Sequence, residues 1–183
     1  MRATMAFAGL YQLTHEMIKQ IVLDKVRGYF CVGVIELGDV MSMQEREPYE
    51  REVLLLAPQS AFRASLLWLI QMDAITVEQA DKLNDVYAHR HDLTHELAKY
   101  VVDPDHEPHV ELLVDAITIL RDLDRFWAQV ELGIGSFDHV EGIEDVDPDE
   151  IVPLSMLVLQ MCIDAYVAMP DDVHMHEQPG PRG

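Results

Sequence analysis

Residues 76–103 read TVEQADKLNDVYAHRHDLTHELAKYVVD, a stretch without glycine or proline. Thr76 and Gln79 form a capping-box pattern at its start, because the threonine hydroxyl can accept from the amide of Gln79 while the glutamine side chain returns to the amide of the cap. Pro104 follows its end and disfavours helical geometry in Asp103. The stretch therefore predicts one helix of about 25 residues.

Apolar residues recur every three or four positions along this helix, as they do on a face that packs inward. The stripe passes through Leu83, Val86, position 90, Leu93, Leu97, Tyr100 and Val101. Position 90 is an arginine, which keeps its charge and must find carboxylates, carbonyls or a wet cleft. One interpretation is a structural ion pair with Asp115 or Glu16, or an arginine that snorkels to the surface. The other is a functional site.

Helical spacing recurs on both sides of this stretch. One predicted helix has Leu10, Leu13, Met17 and Ile21 on one face, and a second is capped by Ser60 after Pro58. A third spans His106–Leu132 and ends at Gly133 and Gly135. A fourth starts at Asp147–Glu150 or, because of Pro153, a few residues later. Residues 29–37, with glycines around and within them, are open between a strand and a second helical piece. Residues 44–51 indicate a loop or a helix start.

These helices and their short connections predict an all-α fold, a single helical bundle of about five helices. The composition, 49% hydrophobic and 25% charged, suits a compact domain with a full core. Residues 170–183 contain three prolines and two glycines and predict a disordered C-terminal tail. The expected organisation is a bundle over residues 1–169 followed by that tail.

The formal net charge of −20 argues against an open cationic surface that coats nucleic acid. The charge is uneven, because residues 101–183 carry 19 acids and 3 bases, a net of −16, which leaves −4 for residues 1–100. Any phosphate site in the first half is therefore expected to be narrow and selective. The acidic segment Asp138–Glu150 contains no lysine or arginine and predicts a solvated loop. It is also the expected place for a protein partner or for self-inhibition of the phosphate site.

Two widely separated cysteines, Cys31 and Cys162, and ten methionines favour a reduced core and a cytoplasmic location. Residues 151–169 approach the length of a membrane span, but Pro153, Gln160 and Asp164 interrupt them and acidic residues flank them. This segment is interpreted as a buried bundle helix. Trp68 and Trp127 lie in apolar helical contexts and are expected in the core.

Residues 87–96, YAHRHDLTHE, place His89, Arg90, His91 and His95 within seven positions. Histidine gives and takes protons near neutral pH, and arginine offers a planar fork that matches phosphate oxygens. Cleavage of RNA by its own 2′-hydroxyl needs such a base, an acid for the leaving 5′-oxygen and a cation for the charge on phosphorus. It needs no metal.

Helical geometry limits how these residues can meet. Positions 90 and 95 are about 500° apart around an ideal helix, so their side chains point about 140° away from each other. They would share a cleft at an edge of the bundle, or pair with a second copy across a two-fold axis.

The sequence Arg90-His91-Asp92-Leu93-Thr94-His95 resembles the R-x4-H motif of HEPN domains, and residues 60–101 resemble its helical context. The resemblance implies a homodimeric α-helical bundle and a metal-independent endoribonuclease without cofactor, of the kind found in toxin–antitoxin and antiphage defence systems. Arg90 would bind the scissile phosphate, His95 would be the general acid or base, and His91 would help to position them. Asp92 and His89 would support the site.

The pattern is also similar to the mannitol operon repressor family, whose bundle has no evident catalysis. The alternative function is therefore an acidic helical regulator or an inactive HEPN scaffold, which binds a basic partner through residues 138–150. A metal site is a further alternative, since His91 and His95 have the i,i+4 spacing of two zinc ligands with Asp92 or Glu96 nearby. Residues 106–109, HEPH, are the expected source of its third ligand.

Overall fold

The computed structural model describes residues 2–30, 34–37, 40–43, 47–103, 105–142, 146–147 and 150–168. The first helix, α1 (Arg2–Gln20), continues through a π-helical turn (Ile21–Lys25) into α2 (Val26–Phe30). The strands β1 (Val34–Leu37) and β2 (Val40–Met43) form an antiparallel hairpin in which Val34 pairs with Met43 and Leu37 with Val40. The sequence left residues 29–37 open between a strand and a helical piece. Both occur, since the helix extends to Phe30 and a strand spans Val34–Leu37.

The other regular elements of the described chain are helical. Its elements are α3 (Glu47–Glu52), a 3₁₀ turn (Leu54–Leu56), α4 (Ala61–Gln71), α5 (Val77–His95), α6 (Leu97–Val102), α7 (Val110–Gly133) and α8 (Leu154–Val167). Among the described residues, five helices are longer than ten residues: α1, α4, α5, α7 and α8. This confirms the predicted all-α bundle of about five helices.

Three long helices form the centre of the bundle, with α7 packed against both α1 and α5. Side-chain pairs show that α5 runs antiparallel to both neighbours: Tyr11 with His89 and His15 with Tyr87 on the α1 side, and Gln79 with Asp122 and Lys82 with Asp115 on the α7 side. Another long helix, α8, lies against α1.

The core is apolar and continuous. Leu69, Ile119, Leu120 and Leu123 are fully buried, and Trp68 and Trp127 stack with ring centroids 6.3 Å apart. Both tryptophans are buried, so their predicted place in the core is confirmed.

Two predicted helix starts are confirmed by their caps. Ser60 Oγ accepts from the amide of Arg63 at 3.3 Å, and α4 begins at Ala61. Thr76 and Gln79 exchange both bonds of the capping box, at 2.9 and 3.1 Å, and α5 begins at Val77. Each cap satisfies amides that the first helical turn leaves without partners.

The prediction of one helix from Thr76 to Asp103 is wrong at one point. Glu96, with φ −113° and ψ 22°, leaves the helical conformation and separates α5 from α6. Beyond this break Tyr100 is buried, and its hydroxyl donates to the Asp92 carboxylate. No glycine or proline marks this break, and it accompanies a tertiary contact that local sequence patterns do not encode.

Other boundaries lie close to the predictions. The helix expected over His106–Leu132 is α7, which starts at Val110, and α8 starts at Leu154, directly after Pro153 as that proline indicated. In the acidic segment, Asp138 and Glu141 lie in exposed turns, whereas residues 143–145 and 148–149 are outside the described residues. Cys31 and the predicted tail at 170–183 are also outside them.

No single helix in the described chain is both long enough and apolar enough to cross a membrane. Residues 48–56 and 61–71 reach that length and composition only as a pair bent by 98°. Ala64, Trp68 and Leu69 of the second member are in the core.

Candidate functional site

Arg90 lies at the edge of the buried face of α5. The sequence pattern placed it on the inward stripe, but the innermost residues are Val86, His89 and Leu93. The side chain of Arg90 is 25% exposed to solvent. Because positions 89 and 90 both fall one helical turn after Val86, apolar spacing alone does not choose between them, and the packing of His89 among aromatic rings does.

Two residues of α1 hold the arginine. Its Nε donates to Gln12 Oε1 at 2.7 Å, and its Nη2 lies 3.4 Å from Glu16 Oε1. Gln12 Nε2 also donates to Glu16 Oε1, at 3.1 Å, so the three side chains form one network between α1 and α5. Of the two acids considered as partners, Glu16 pairs with Arg90, whereas Asp115 pairs with Lys82.

This network is part-buried, and its acidic member is the more accessible one. The Glu16 side chain retains 45% of its exposure, so water can solvate either partner when the other is removed. Exposed ion pairs of this kind contribute about 0–1 kcal/mol. The network therefore orients the guanidinium more than it stabilises the bundle.

A groove of about 290 Å³ opens beside the guanidinium, between α1 and the end of α5. It is lined by Ala8, Tyr11, Gln12, Arg90, Leu93, Thr94 and Leu97. The Tyr11 hydroxyl is buried without a hydrogen-bond partner among the described residues, and burial, with a smaller contribution from Asp85, raises its pKa. Arginine and glutamine N–H groups in so small a space suit an anionic or hydrogen-bond-accepting group.

His91 and His95 lie on the exposed side of the last turn of α5. Their ring centroids are 4.3 Å apart, as expected for i,i+4 neighbours on one helical face. Neither ring lines the groove beside Arg90. One copy of the chain therefore does not bring Arg90 and the two histidines into a single cleft, in agreement with their expected divergence around the helix.

His89 faces the core, away from His91 and His95. Its ring packs edge-on against Tyr11, Tyr100 and His109 at centroid distances of 5.1, 6.0 and 5.0 Å, and its Nε2 accepts from the His109 amide at 3.2 Å. It joins α5 to the start of α7. Its contribution to the site is structural.

Asp92 connects α5 to α6. It accepts a hydrogen bond from the Tyr100 hydroxyl across the break at Glu96. Burial raises the pKa of Tyr100 to about 12, and the bond and charge of Asp92 act in the same direction. This bond thus holds α6 against the end of α5, just after His91 and His95.

Two buried histidines predict an acid-sensitive contribution to folding. Burial lowers the pKa of His89, with His109 adding to the effect and Asp92 opposing it. Burial also lowers the pKa of His15, and Arg90 adds to this while Glu16 opposes it. Since the unfolded chain binds these protons more readily, their contribution is complete above pH of about 6.5 and is lost as the pH falls below it.

We expect the His89→Gln variant, which retains an acceptor for the His109 amide, to lose less thermal stability than the wild type between pH 7.5 and 5.5. The measurement is the difference in Tm between the two proteins at each pH, because the whole chain also loses negative charge on acidification. His139→Gln, in an exposed turn, is the control. Equal pH dependence of wild type and His89→Gln would contradict the prediction.

The described residues do not complete the alternative metal site. No group of three histidine, cysteine, aspartate or glutamate side chains among them is arranged to hold a metal ion. The residues expected to give a third ligand are engaged elsewhere, with His106 Nδ1 3.0 Å from Asp103 Oδ2 and the His109 ring against His89.

Sequence reasoning missed Tyr11, Gln12 and Thr94 as parts of the groove. The Thr94 hydroxyl donates a hydrogen bond to the Arg90 carbonyl at 2.8 Å, so the Thr94 Oγ1 remains available as an acceptor. Gln12 and Glu16 are spaced i,i+4 on α1, the one signal that they share a face. Their contact with α5 depends on tertiary packing.

Comparison with known proteins gave no matching family model, no matching curated protein and no matching solved structure.

Proposed function

We propose that this protein is a metal-independent endoribonuclease of the HEPN type that acts as a homodimer. The observation that carries the proposal is the last turn of α5. There the exposed rings of His91 and His95 lie side by side, just after an arginine that is held by hydrogen bonds but remains partly exposed. The R-x4-H spacing and the helical bundle are consistent with it.

The state of Arg90 supports a role in binding phosphate. Gln12 and Glu16 fix its Nε and Nη2, and the groove beside it admits a small group. A guanidinium whose orientation is set in advance stabilises charge that develops on phosphorus without reorganising during the reaction. Glu16 neutralises the guanidinium in the absence of RNA and competes with phosphate for it.

The separation of Arg90 from the histidines supports the dimer. If one chain supplied the whole site, His91 or His95 would be expected to line the groove with Arg90, and neither does. A two-fold axis near the end of α5 would place the exposed histidines of one copy next to the arginine of the other.

The reaction follows from these side chains. A neutral histidine takes the proton of the 2′-hydroxyl, the 2′-oxygen bonds to phosphorus, and the bond from phosphorus to the 5′-oxygen breaks. A protonated histidine gives its proton to that leaving oxygen. The products carry a 2′,3′-cyclic phosphate and a 5′-hydroxyl, and Arg90 stabilises the charge on the phosphoryl oxygens between these states.

The test is cleavage of mixed-sequence single-stranded RNA by the purified chain in excess EDTA. We expect 2′,3′-cyclic phosphate ends, and we expect His95→Ala to lose cutting while its Tm stays within a few degrees of the wild type, because the ring is exposed. His139→Ala, which removes another exposed ring, is the matched control. A wild-type chain that leaves RNA intact, alone and with cell extract, would overturn the proposal.

A second candidate function has an observation of its own. In the turns that follow α7, Phe137 and Val140 are partly exposed beside the acidic residues Asp138 and Glu141. An acidic surface with apolar side chains suits a basic amphipathic partner. This favours the non-catalytic regulator or scaffold, in which the Arg90 network would be structural.

A further inference from the structure

Tyr87 is a large aromatic side chain on the exposed side of α5, three residues before Arg90 and four before His91. Residues at these two spacings are neighbours on the surface of a helix. Tyr87 is 56% exposed, whereas Tyr11 and Tyr100, which also contact a side chain of α5, are buried. Packing of the bundle therefore leaves much of the Tyr87 side chain open to solvent, one turn from Arg90.

A contact with α1 holds the Tyr87 ring in place. Its centroid lies 5.7 Å from that of the His15 ring, and the two planes are inclined by 42°. His15 is only 8% exposed, so the ring that Tyr87 touches is itself fixed in the bundle. Tyrosine has two side-chain torsions and loses little conformational entropy when a ligand covers it. Tyr87 is thus supported by the bundle and still accessible to a ligand.

Two cations flank this part of the contact between α1 and α5. Arg90 lies one turn after Tyr87 on α5, and Lys19 lies one turn after His15 on α1. Glu16 joins them, since its Oε1 is 3.4 Å from Arg90 Nη2 and its Oε2 is 3.7 Å from Lys19 Nζ. Two positive charges against one negative charge make this cluster cationic, within a chain whose net charge is −20.

An exposed aromatic ring beside cations fits one class of ligand best. Proteins that bind unpaired nucleic acid combine positive side chains, which follow the phosphates, with aromatic rings on which the bases stack. A double helix keeps its bases stacked inside, so it offers no free base to such a ring. Inorganic phosphate would use the cations without the ring.

We infer that Tyr87 is a base-stacking residue, which binds the base next to the phosphate held by Arg90 and restricts the substrate to unpaired RNA. This assignment rests on the proposed function, because it requires Arg90 to bind a phosphate of the RNA chain. One copy of the chain supplies both the phosphate contact and the base contact. Tyr87 takes no part in proton transfer, so it acts on binding alone.

The probe is a short fluorescent strand of 2′-O-methyl RNA of mixed sequence, which lacks the attacking hydroxyl and cannot be cut by the proposed reaction. Anisotropy titrations in EDTA at low salt give its Kd. Tyr87→Leu keeps an apolar contact for His15 but removes the aromatic face, and we expect it to raise Kd about fivefold or more. Tyr87→Phe keeps the ring and should bind as the wild type does.

The matched control is Phe137→Leu, which removes another partly exposed ring, in the turns after α7. It should bind the strand as the wild type does. The Tm of each variant checks that the chain is folded.

Two further readouts separate stacking from structure. Annealing the probe to its complement hides the bases, and we expect Tyr87→Leu to leave the affinity for that duplex unchanged. With cleavable RNA, Tyr87→Leu should raise KM and leave kcat close to the wild-type value, because a stacked base contributes equally to the ground state and the transition state.

Each outcome decides the inference. A higher Kd for Tyr87→Leu, with Tyr87→Phe and Phe137→Leu unchanged, supports it. A wild-type chain that does not bind the strand overturns it, as does Tyr87→Leu binding as tightly as the wild type or Tyr87→Phe binding as weakly as Tyr87→Leu. If the chain binds the strand through Tyr87 but leaves cleavable RNA intact, the nuclease function fails and base stacking does not, so the two failures are distinguishable.

Discussion

Arg90→Ala is expected to reduce the proposed RNA cleavage by about 100-fold or more, the typical consequence of losing one preorganised donor to a developing oxyanion. The folded chain should remain, because Glu16, the partner in the lost ion pair, is 45% exposed and water can solvate it, so we expect a loss of about 1 kcal/mol. The measurement is the single-turnover rate with excess enzyme in EDTA, together with Tm. Arg63→Ala, at an exposed arginine of α4, is the control for loss of one positive charge.

A companion variant separates phosphate binding from structure. Glu16→Gln keeps the size of the side chain and removes the charge that pairs with Arg90, which in the proposed function competes with phosphate. We expect it to cut at least as fast as the wild type and with a lower KM. If Arg90→Ala instead melts far below the wild type and Glu16→Gln does the same, the network is structural and the regulator or scaffold is favoured.

Leu120→Ala is expected to destabilise the fold by about 2–5 kcal/mol, because a fully buried leucine leaves a cavity that its neighbours only partly fill. Leu120 lies on α7, which packs against both α1 and α5. For a chain of this size the Tm should fall by roughly 5–15 °C. Urea unfolding gives the free energy directly.

The control for this substitution is Leu157→Ala, which removes the same atoms from a half-exposed position on α8. We expect a change within about 0.5 kcal/mol. Equal destabilisation by the two substitutions would contradict the assignment of α7 to the centre of the bundle. It would place the outer face of α8 in an interface instead.

The caps show how much of the fold the sequence predicts. Ser60, Thr76 and Gln79 make hydrogen bonds within three residues of themselves, so their effect on the backbone is local and readable. The positions of α4, α5 and α7 followed from such signals and from apolar spacing. The break at Glu96 did not, because it accompanies the burial of Tyr100 and its bond to Asp92.

The candidate site likewise has features that the sequence predicts and others that it does not. Residue type and helical period are enough to identify Arg90, His91 and His95 as candidates for RNA cleavage, and to predict that Arg90 and His95 diverge. Three other features arise from tertiary packing: His89 lies inward, Gln12 and Glu16 hold Arg90, and the rings of His91 and His95 lie outside the groove beside Arg90. Those outcomes depend on how α1 and α7 pack on α5, contacts between residues far apart in the chain that no local pattern specifies.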